Sequence, residues 1–320
     1  MHEARSRLRF YLATLLDRAI APAINPADTL VLSGFWRSGT TWLQELLAGW
    51  LGAKTIFEPF HLYVPATRKL FAHYGITDKP AEFQEVWFPW WDADSPGDHD
   101  PLRTYYRRAL KGQIRGRAAR ALRGGVAESL RRSVIVKFTR GQFSLGTAQA
   151  AFGFPLIHIY RDPRAVIASI KMTDWDWMFN RLSLREQLLD LPDGRAGYFG
   201  QWEAAIRELD VPDPVSRIMA YWALSEKRLE EGLAGRSALL GYEEVLRAPE
   251  EVLAPVLARL GVAAGSRPPA AGRDSYSTSG GRRGASETAR MYGWRETLTA
   301  EEQAKIEGIA RQFGLGERLL

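Results

Sequence analysis

The chain has 320 residues, 46% of them hydrophobic and 25% charged, with a net charge of +6. That is enough apolar material for one large domain or two small ones, at an ordinary charge density. With no cysteine it has no disulfide, thiol nucleophile or cysteine metal site, and no apolar run approaches the roughly 18 residues of a membrane span.

The basic balance, with a sequence pI of about 9.5, suits an anionic ligand, a nucleic acid or an anionic membrane surface without choosing among them. The N-terminal stretch carries Arg5, Arg7 and Arg9, and the apolar run after it is broken by Asp17 and Arg18. This predicts a surface amphipathic helix and not a signal peptide. Residues 29–33 form a short apolar run ending at Gly34, the pattern of a buried strand entering a turn. Trp42, Leu43, Leu46, Leu47 and Trp50 then mark one apolar face of a helix over 40–51. Further strands are expected at 54–57, 134–138, 155–160 and 237–241, and further helices near 142–152, 163–172 and 249–260. Short apolar strands alternating with helices imply a parallel sheet covered on both faces. The expectation is an α/β fold: a single domain over 1–320 with a central parallel sheet flanked by helices.

Two regions break this rhythm. Residues 86–101 are rich in Trp, Pro and Asp, and 103–132 carries nine arginines and Lys111. The stretch 103–132 reads as a helix with charge on most faces. Its charge suits an anionic partner, such as a carrier protein, a phospholipid surface or an acidic glycan; a solvated basic helix is an equal reading. No recognised nucleic-acid motif accompanies it. The aromatics Trp87, Phe88, Trp90 and Trp91 either line an acceptor pocket or pin their loop to the core. Residues 264–285 are rich in Gly, Ser, Pro and Arg, and 264–293 is expected to form a lid or binding loop.

The segment from Gly34 to Thr41 lies between a predicted strand and a predicted helix. Backbone N–H groups and the helix dipole there favour an anion, and Ser38, Thr40 and Thr41 add hydroxyls. The pattern nearly matches the triphosphate loop G-x-x-x-x-G-K-[ST], but Thr40 replaces the Lys and the cation stands at Arg37. Trp36-Arg37-Ser38-Gly39-Thr40-Thr41-Trp42-Leu43 resembles the 5′-phosphosulfate loop of the sulfotransferases that use 3′-phosphoadenosine 5′-phosphosulfate (PAPS). In that family the loop, here Arg37, Ser38, Gly39, Thr40 and Thr41, holds the phosphosulfate. The aromatic residue matching Trp42 packs near the adenine.

A second motif runs from Arg161-Asp162-Pro163 to Ser169, with Pro163 suited to a helix's first turn. It resembles the family's R-[ND]-P-x-x-x-x-x-S, whose Arg and Ser bind the 3′-phosphate, which implies that role for Arg161 and Ser169. The resemblance extends to Tyr242 in Tyr242-Glu243-Glu244 and to Thr278 in Thr278-Ser279, both beside the adenine. Arg282-Arg283-Gly284 matches the family's loop over the 3′-phosphate, with Arg290 as a competitor. The likeness covers roughly 29–60 and 134–310, and 61–133 is expected to be an acceptor-side helical insertion.

What the resemblance implies is transfer of a sulfuryl group from PAPS to a hydroxyl or amine of a small-molecule, glycan or lipid acceptor, without metal, in the cytoplasm. Lys137, at a strand's C-terminal end, matches a Lys that neutralises the leaving oxygen in Arg-loop branches. The His that many cytosolic members use as base is absent, because Thr139 stands at its place. Arg-loop branches place a Glu after the second strand, which points to Glu58; Phe57, Pro59 and Phe60 around it are expected to desolvate the carboxyl and raise its pKa. His61 is the rival. A kinase-like phosphotransferase and a catalytically inactive nucleotide-binding module are the competing readings.

Overall fold

The computed structural model describes residues 2–93, 99–114, 126–173, 180–265 and 284–320, with the backbone alone for 2–10. Five short strands form one sheet: β1 (Leu30–Ser33), β2 (Lys54–Phe57), β3 (Val134–Phe138), β4 (Leu156–Tyr160) and β5 (Ser237–Gly241). Their order is β2-β3-β1-β4-β5, and every pairing is parallel. Side-chain alternation splits the strands between two cores. Leu30 and Leu32 face the cluster holding Trp42, Leu43, Leu46 and Leu47. Val31, Val134 and Val136 face the cluster holding Phe60, Tyr105 and Tyr106. A sheet covered on both faces is what continuous apolar strands require.

The helices are α1 (His2–Ile20), α2 (Thr40–Leu51), α3 (Pro65–His73), α4 (Ala81–Val86), α5 (Asp100–Leu110), α6 (Leu145–Phe152), α7 (Pro163–Lys171), α8 (Leu184–Leu188), α9 (Arg195–Phe199), α10 (Glu203–Leu209), α11 (Pro214–Gly232), α12 (Tyr242–Arg247), α13 (Pro249–Arg259), α14 (Glu287–Tyr292), α15 (Trp294–Thr297) and α16 (Ala300–Gln312). The strands and the helices α2, α6, α7 and α13 fall within a few residues of their expected bounds.

Three expectations need correction. The basic stretch 103–132 is not one helix: α5 ends at Leu110, followed by Gly112 at φ 67°, and 115–125 lies outside the described residues. Within α5 the charge does not fall on most faces. Leu102, Tyr105, Tyr106, Ala109 and Leu110 are buried, and Arg103, Arg107 and Arg108 share the exposed face. In α1, likewise, Tyr11, Leu12 and Leu15 are exposed while Ala13 and Asp17 are buried, because Asp17 pairs with Lys54 of β2 at 3.4 Å. Finally, part of the expected loop 264–293 is helix: Ser286 caps α14 through Ala289 N–H, while 266–283 lies outside the described residues.

The strand order reverses at β1, so the C-terminal ends of β3, β1 and β4 open onto one crevice, the place where open parallel sheets collect ligands. Register decides which side chains meet there. Lys137 is opposite Phe57 on one side and Leu32 on the other, while Tyr160 is opposite Gly241. Glu58, Gly34, Arg161 and Tyr242 follow these rows directly or nearly so.

Candidate active site

The turn from β1 into α2 is built around two glycines that tolerate no side chain. A Cβ on Gly34 would lie 2.5 Å from the Ile159 carbonyl oxygen and 2.6 Å from Thr40 Cγ2. Gly39 caps α2 at φ 84°, and its Cβ would lie 2.4 Å from the Tyr242 ring. The first N–H groups of α2 have no acceptor within the helix and face the loop. Ser38 Oγ is buried and has no hydrogen-bond partner. An orphaned hydroxyl inside a glycine cradle at a helix N-terminus fits a phosphate-like anion, since leaving such a group unmet costs about 1–3 kcal/mol.

Arg37 and Glu58 are the two non-glycine residues with positive φ among the described residues, at 67° and 44°. Backbone in this region costs of order 1–3 kcal/mol and persists where the surroundings enforce it. Glu58 directly follows β2, and Arg37 lies in the turn between β1 and α2.

Arg37 Nε donates to Ser169 Oγ at 2.9 Å, so the two predicted anion-binding segments touch across 132 residues of sequence. Arg161 Nη1 donates to the Arg37 carbonyl oxygen at 3.0 Å and Nη2 to that of Arg290 at 2.6 Å. Its guanidinium lies 4.6 Å from the Tyr242 ring centre, and Nε makes no hydrogen bond, Glu243 being 4.0 Å away. Trp42 meets Tyr242 edge to face at 5.7 Å. Thr278, expected beside the adenine, and Arg282 and Arg283 of the expected 3′-phosphate loop lie outside the described residues. Gly284 is exposed in a turn, and the competitor Arg290 is held beside Arg161 through its main chain.

Glu58 lies at the centre of a buried ionic cluster. Lys137 Nζ is 3.0 Å from Glu58 Oε1 and donates to Thr41 Oγ1 at 2.9 Å. Arg140 Nη1 donates to Glu58 Oε2 at 3.2 Å, and the Thr139 hydroxyl donates to the same oxygen. Sequence reasoning overlooked Arg140; its signal was a cation two residues beyond the end of a core strand. The expected rise in the Glu58 pKa is corrected. Burial does push the carboxyl up, but Lys137, Arg140 and Thr139 together outweigh it and hold it below the ordinary carboxylate range. Burial pushes the Lys137 ammonium down against the pull of Glu58.

His61 is a neighbour of this cluster and not a member of it. Its N–H donates to the Glu58 carbonyl oxygen at 2.9 Å, and its Nδ1 accepts from Tyr63 N–H at 3.2 Å. Burial, with Arg140 and Lys137 nearby, lowers its pKa to about 4 in spite of Glu58. The aromatics of 86–101 are core residues: Trp87, Phe88, Trp90 and Trp91 are buried, with Phe88 against Trp36 and Trp90 against Phe199. Thr67 and Tyr105 donate to the Pro59 carbonyl oxygen, tying the Glu58 turn to α3 and α5.

No protein-family model matches the chain, and no curated protein matches it. Solved structures do. A sulfotransferase from Alicyclobacillus acidocaldarius is 19% identical with a TM-score of 0.40, over 91% of this chain and 96% of that one. The sulfotransferase domain from the curacin biosynthetic pathway is 15% identical with a TM-score of 0.42, over 88% and 96%. Retinol dehydratase, in complex with androsterone and inactive cofactor PAP, is 15% identical with a TM-score of 0.37, over 91% and 81%. At these TM-scores the likenesses decide nothing about chemistry, which rests on the residues above.

Proposed function

We propose that the chain transfers a sulfuryl group from PAPS to a hydroxyl or amine of a small-molecule, glycan or lipid acceptor, in the cytoplasm and without metal or nucleic acid. The observation that carries this reading is the contact of Arg37 with Ser169, which joins two anion-binding segments at the mouth of β1 and β4. A triphosphate loop alone would not bring a second Arg-Ser pair to the same place.

The residues present fit the nucleotide. Ser38, Gly39, Thr40 and Thr41 with the N-terminus of α2 take the 5′-phosphosulfate; Arg161 and Ser169 take the 3′-phosphate; Trp42 and Tyr242, in contact with each other, lie beside the base. For Thr278, Arg282, Arg283 and Gly284 nucleotide contacts are carried over from the family resemblance alone, the first three lying outside the described residues. When bound, PAPS supplies a sulfuryl group on a phosphate leaving group. Transfer of this kind asks the protein for positioning and charge stabilisation. Arg37 stays protonated and acts as fixed charge, not as an acid. Lys137 touches both the loop, through Thr41, and Glu58. Glu58 is an ionised carboxylate at neutral pH and takes the acceptor's proton.

Two measurements test the reading. Calorimetric titration with 3′-phosphoadenosine 5′-phosphate should show metal-independent binding in preference to ATP with magnesium; the reverse preference points to a phosphotransferase. Labelled PAPS with an acceptor panel should give single-turnover transfer, and Glu58→Gln should lose roughly two to four orders of magnitude in turnover while still binding the nucleotide. Absence of transfer to every acceptor class, with nucleotide binding intact, leaves only a binding module.

A further inference from the structure

The two oxygens of the Glu58 carboxylate are held differently. Among the described residues Oε1 meets only Lys137, at 3.0 Å. Oε2 meets Arg140 at 3.2 Å and the Thr139 hydroxyl. Lys137 is also bonded to Thr41, so it lies between the carboxylate and the loop where an anion binds. Arg140 meets the loop through the Trp36 ring, whose centre lies 5.3 Å from its guanidinium, and not through an anion-facing hydroxyl as Lys137 does. Its Nε is fixed elsewhere, donating to the Glu85 carbonyl oxygen at 2.7 Å. The Glu58 main chain is fixed as well, its N–H donating to the Lys137 carbonyl oxygen at 3.1 Å.

We propose that Arg140 is the positioning residue of the proton acceptor: with Thr139 it anchors Oε2, so that Oε1 is the atom that takes the proton when Lys137 turns to the leaving phosphate oxygen. The proposal rests on the sulfuryl-transfer reading. The acceptor oxygen forms its bond to sulfur as the bond from sulfur to the phosphate oxygen breaks. The electron pair leaves on that phosphate, and the acceptor's proton passes to Oε1. Lys137 is the shared cation, so an anion in the loop draws it away from Glu58. A carboxylate then left with one hydroxyl donor would be a buried, nearly unpaired charge, and it would protonate sooner than accept a proton from substrate. Arg140, which cannot leave, keeps it ionised and aimed. This also gives Thr139 a task at the position where a histidine would otherwise stand. The other charged or titratable groups near the cluster are His61 on the Glu58 turn, Glu45 toward Lys137, and Glu85 and Tyr221 toward Arg140.

The test uses Arg140→Ala, Arg140→Lys, Thr139→Val and Glu58→Gln, with two readouts. One is the infrared titration of the carboxyl band in the ligand-free protein, with Glu58→Gln identifying the band. The other is the pH profile of kcat at saturating PAPS. Arg140→Ala should raise both the carboxyl titration and the acidic limb by roughly 1–3 pH units, the pull of one adjacent cation. It should lower kcat tenfold or more while leaving KM for PAPS at the wild-type value. Arg140→Lys should restore the limb, and Thr139→Val should move it the same way by less. A carboxyl titration that stays in place in Arg140→Ala overturns the proposal. If Arg140→Ala does not fold, judged by lost nucleotide binding, an unmoved limb in Thr139→Val overturns it instead. Failure of the sulfuryl-transfer reading looks different: wild type moves no sulfate, or Glu58→Gln turns over like wild type.

Discussion

Gly39→Ala probes the phosphate loop at its tightest point. Gly39 has φ 84°, and an L residue there pays about 1–2 kcal/mol for the left-handed backbone. Its Cβ would also lie 2.4 and 2.5 Å from two carbons of the Tyr242 ring. That ring cannot retreat freely, since Trp42 packs on it at 5.7 Å and Arg161 lies 4.6 Å from its centre. Overpacking of this kind adds about 1–3 kcal/mol, for a total of about 2–5. At about 2 °C per kcal/mol for a chain of this size, the melting temperature should fall by about 4–10 °C. Scanning calorimetry of four proteins (wild type, Gly39→Ala, Tyr242→Ala and the double variant) separates the two terms. In the Tyr242→Ala background the alanine should cost less by the overpacking share, about 1–3 kcal/mol, because the ring it collides with is gone. Binding of 3′-phosphoadenosine 5′-phosphate should weaken in Gly39→Ala as well. Equal costs in both backgrounds would refute the close approach of loop and ring, and an unchanged melting temperature would refute the backbone argument too.

Arg161→Ala should weaken binding of 3′-phosphoadenosine 5′-phosphate by about 1.5–3 kcal/mol, the range for a hydrogen bond to a charged group, with adenosine 5′-phosphosulfate affected far less; equal losses for both ligands in a calorimetric titration would remove Arg161 from the 3′-phosphate. His61 should make the fold acid-sensitive. Its folded pKa of about 4 lies below the ordinary 6.5, so the unfolded chain takes up a proton first as pH falls, and stability should drop between pH 6.5 and 4 by up to about 3 kcal/mol. Urea melts of wild type and His61→Gln across that range check this, and an equal pH dependence in both would count against it.

What the sequence by itself determined is local. Five apolar runs, the glycines of the loop and Pro163 at a helix start are each written within a few consecutive residues, so period and turn chemistry sufficed to find them; the pairing of Arg161 with Ser169 came from the family resemblance. Charge placement on α5 was misjudged because the helix stops at Leu110, where Gly112 turns the chain, and one periodic face is hard to see inside a longer basic run. The fate of Trp87, Phe88, Trp90 and Trp91 was undecidable from order alone, since an aromatic residue suits a core and a pocket equally; burial settled it. Only the tertiary structure could decide the state of Glu58. Flanking apolar residues predict a raised pKa, yet the sheet register that sets Lys137 opposite Phe57, with Arg140 just beyond the strand end, delivers two cations from a segment some eighty residues away. Electrostatic coupling depends on distance in space and on local dielectric, and neither quantity is carried by neighbours in sequence.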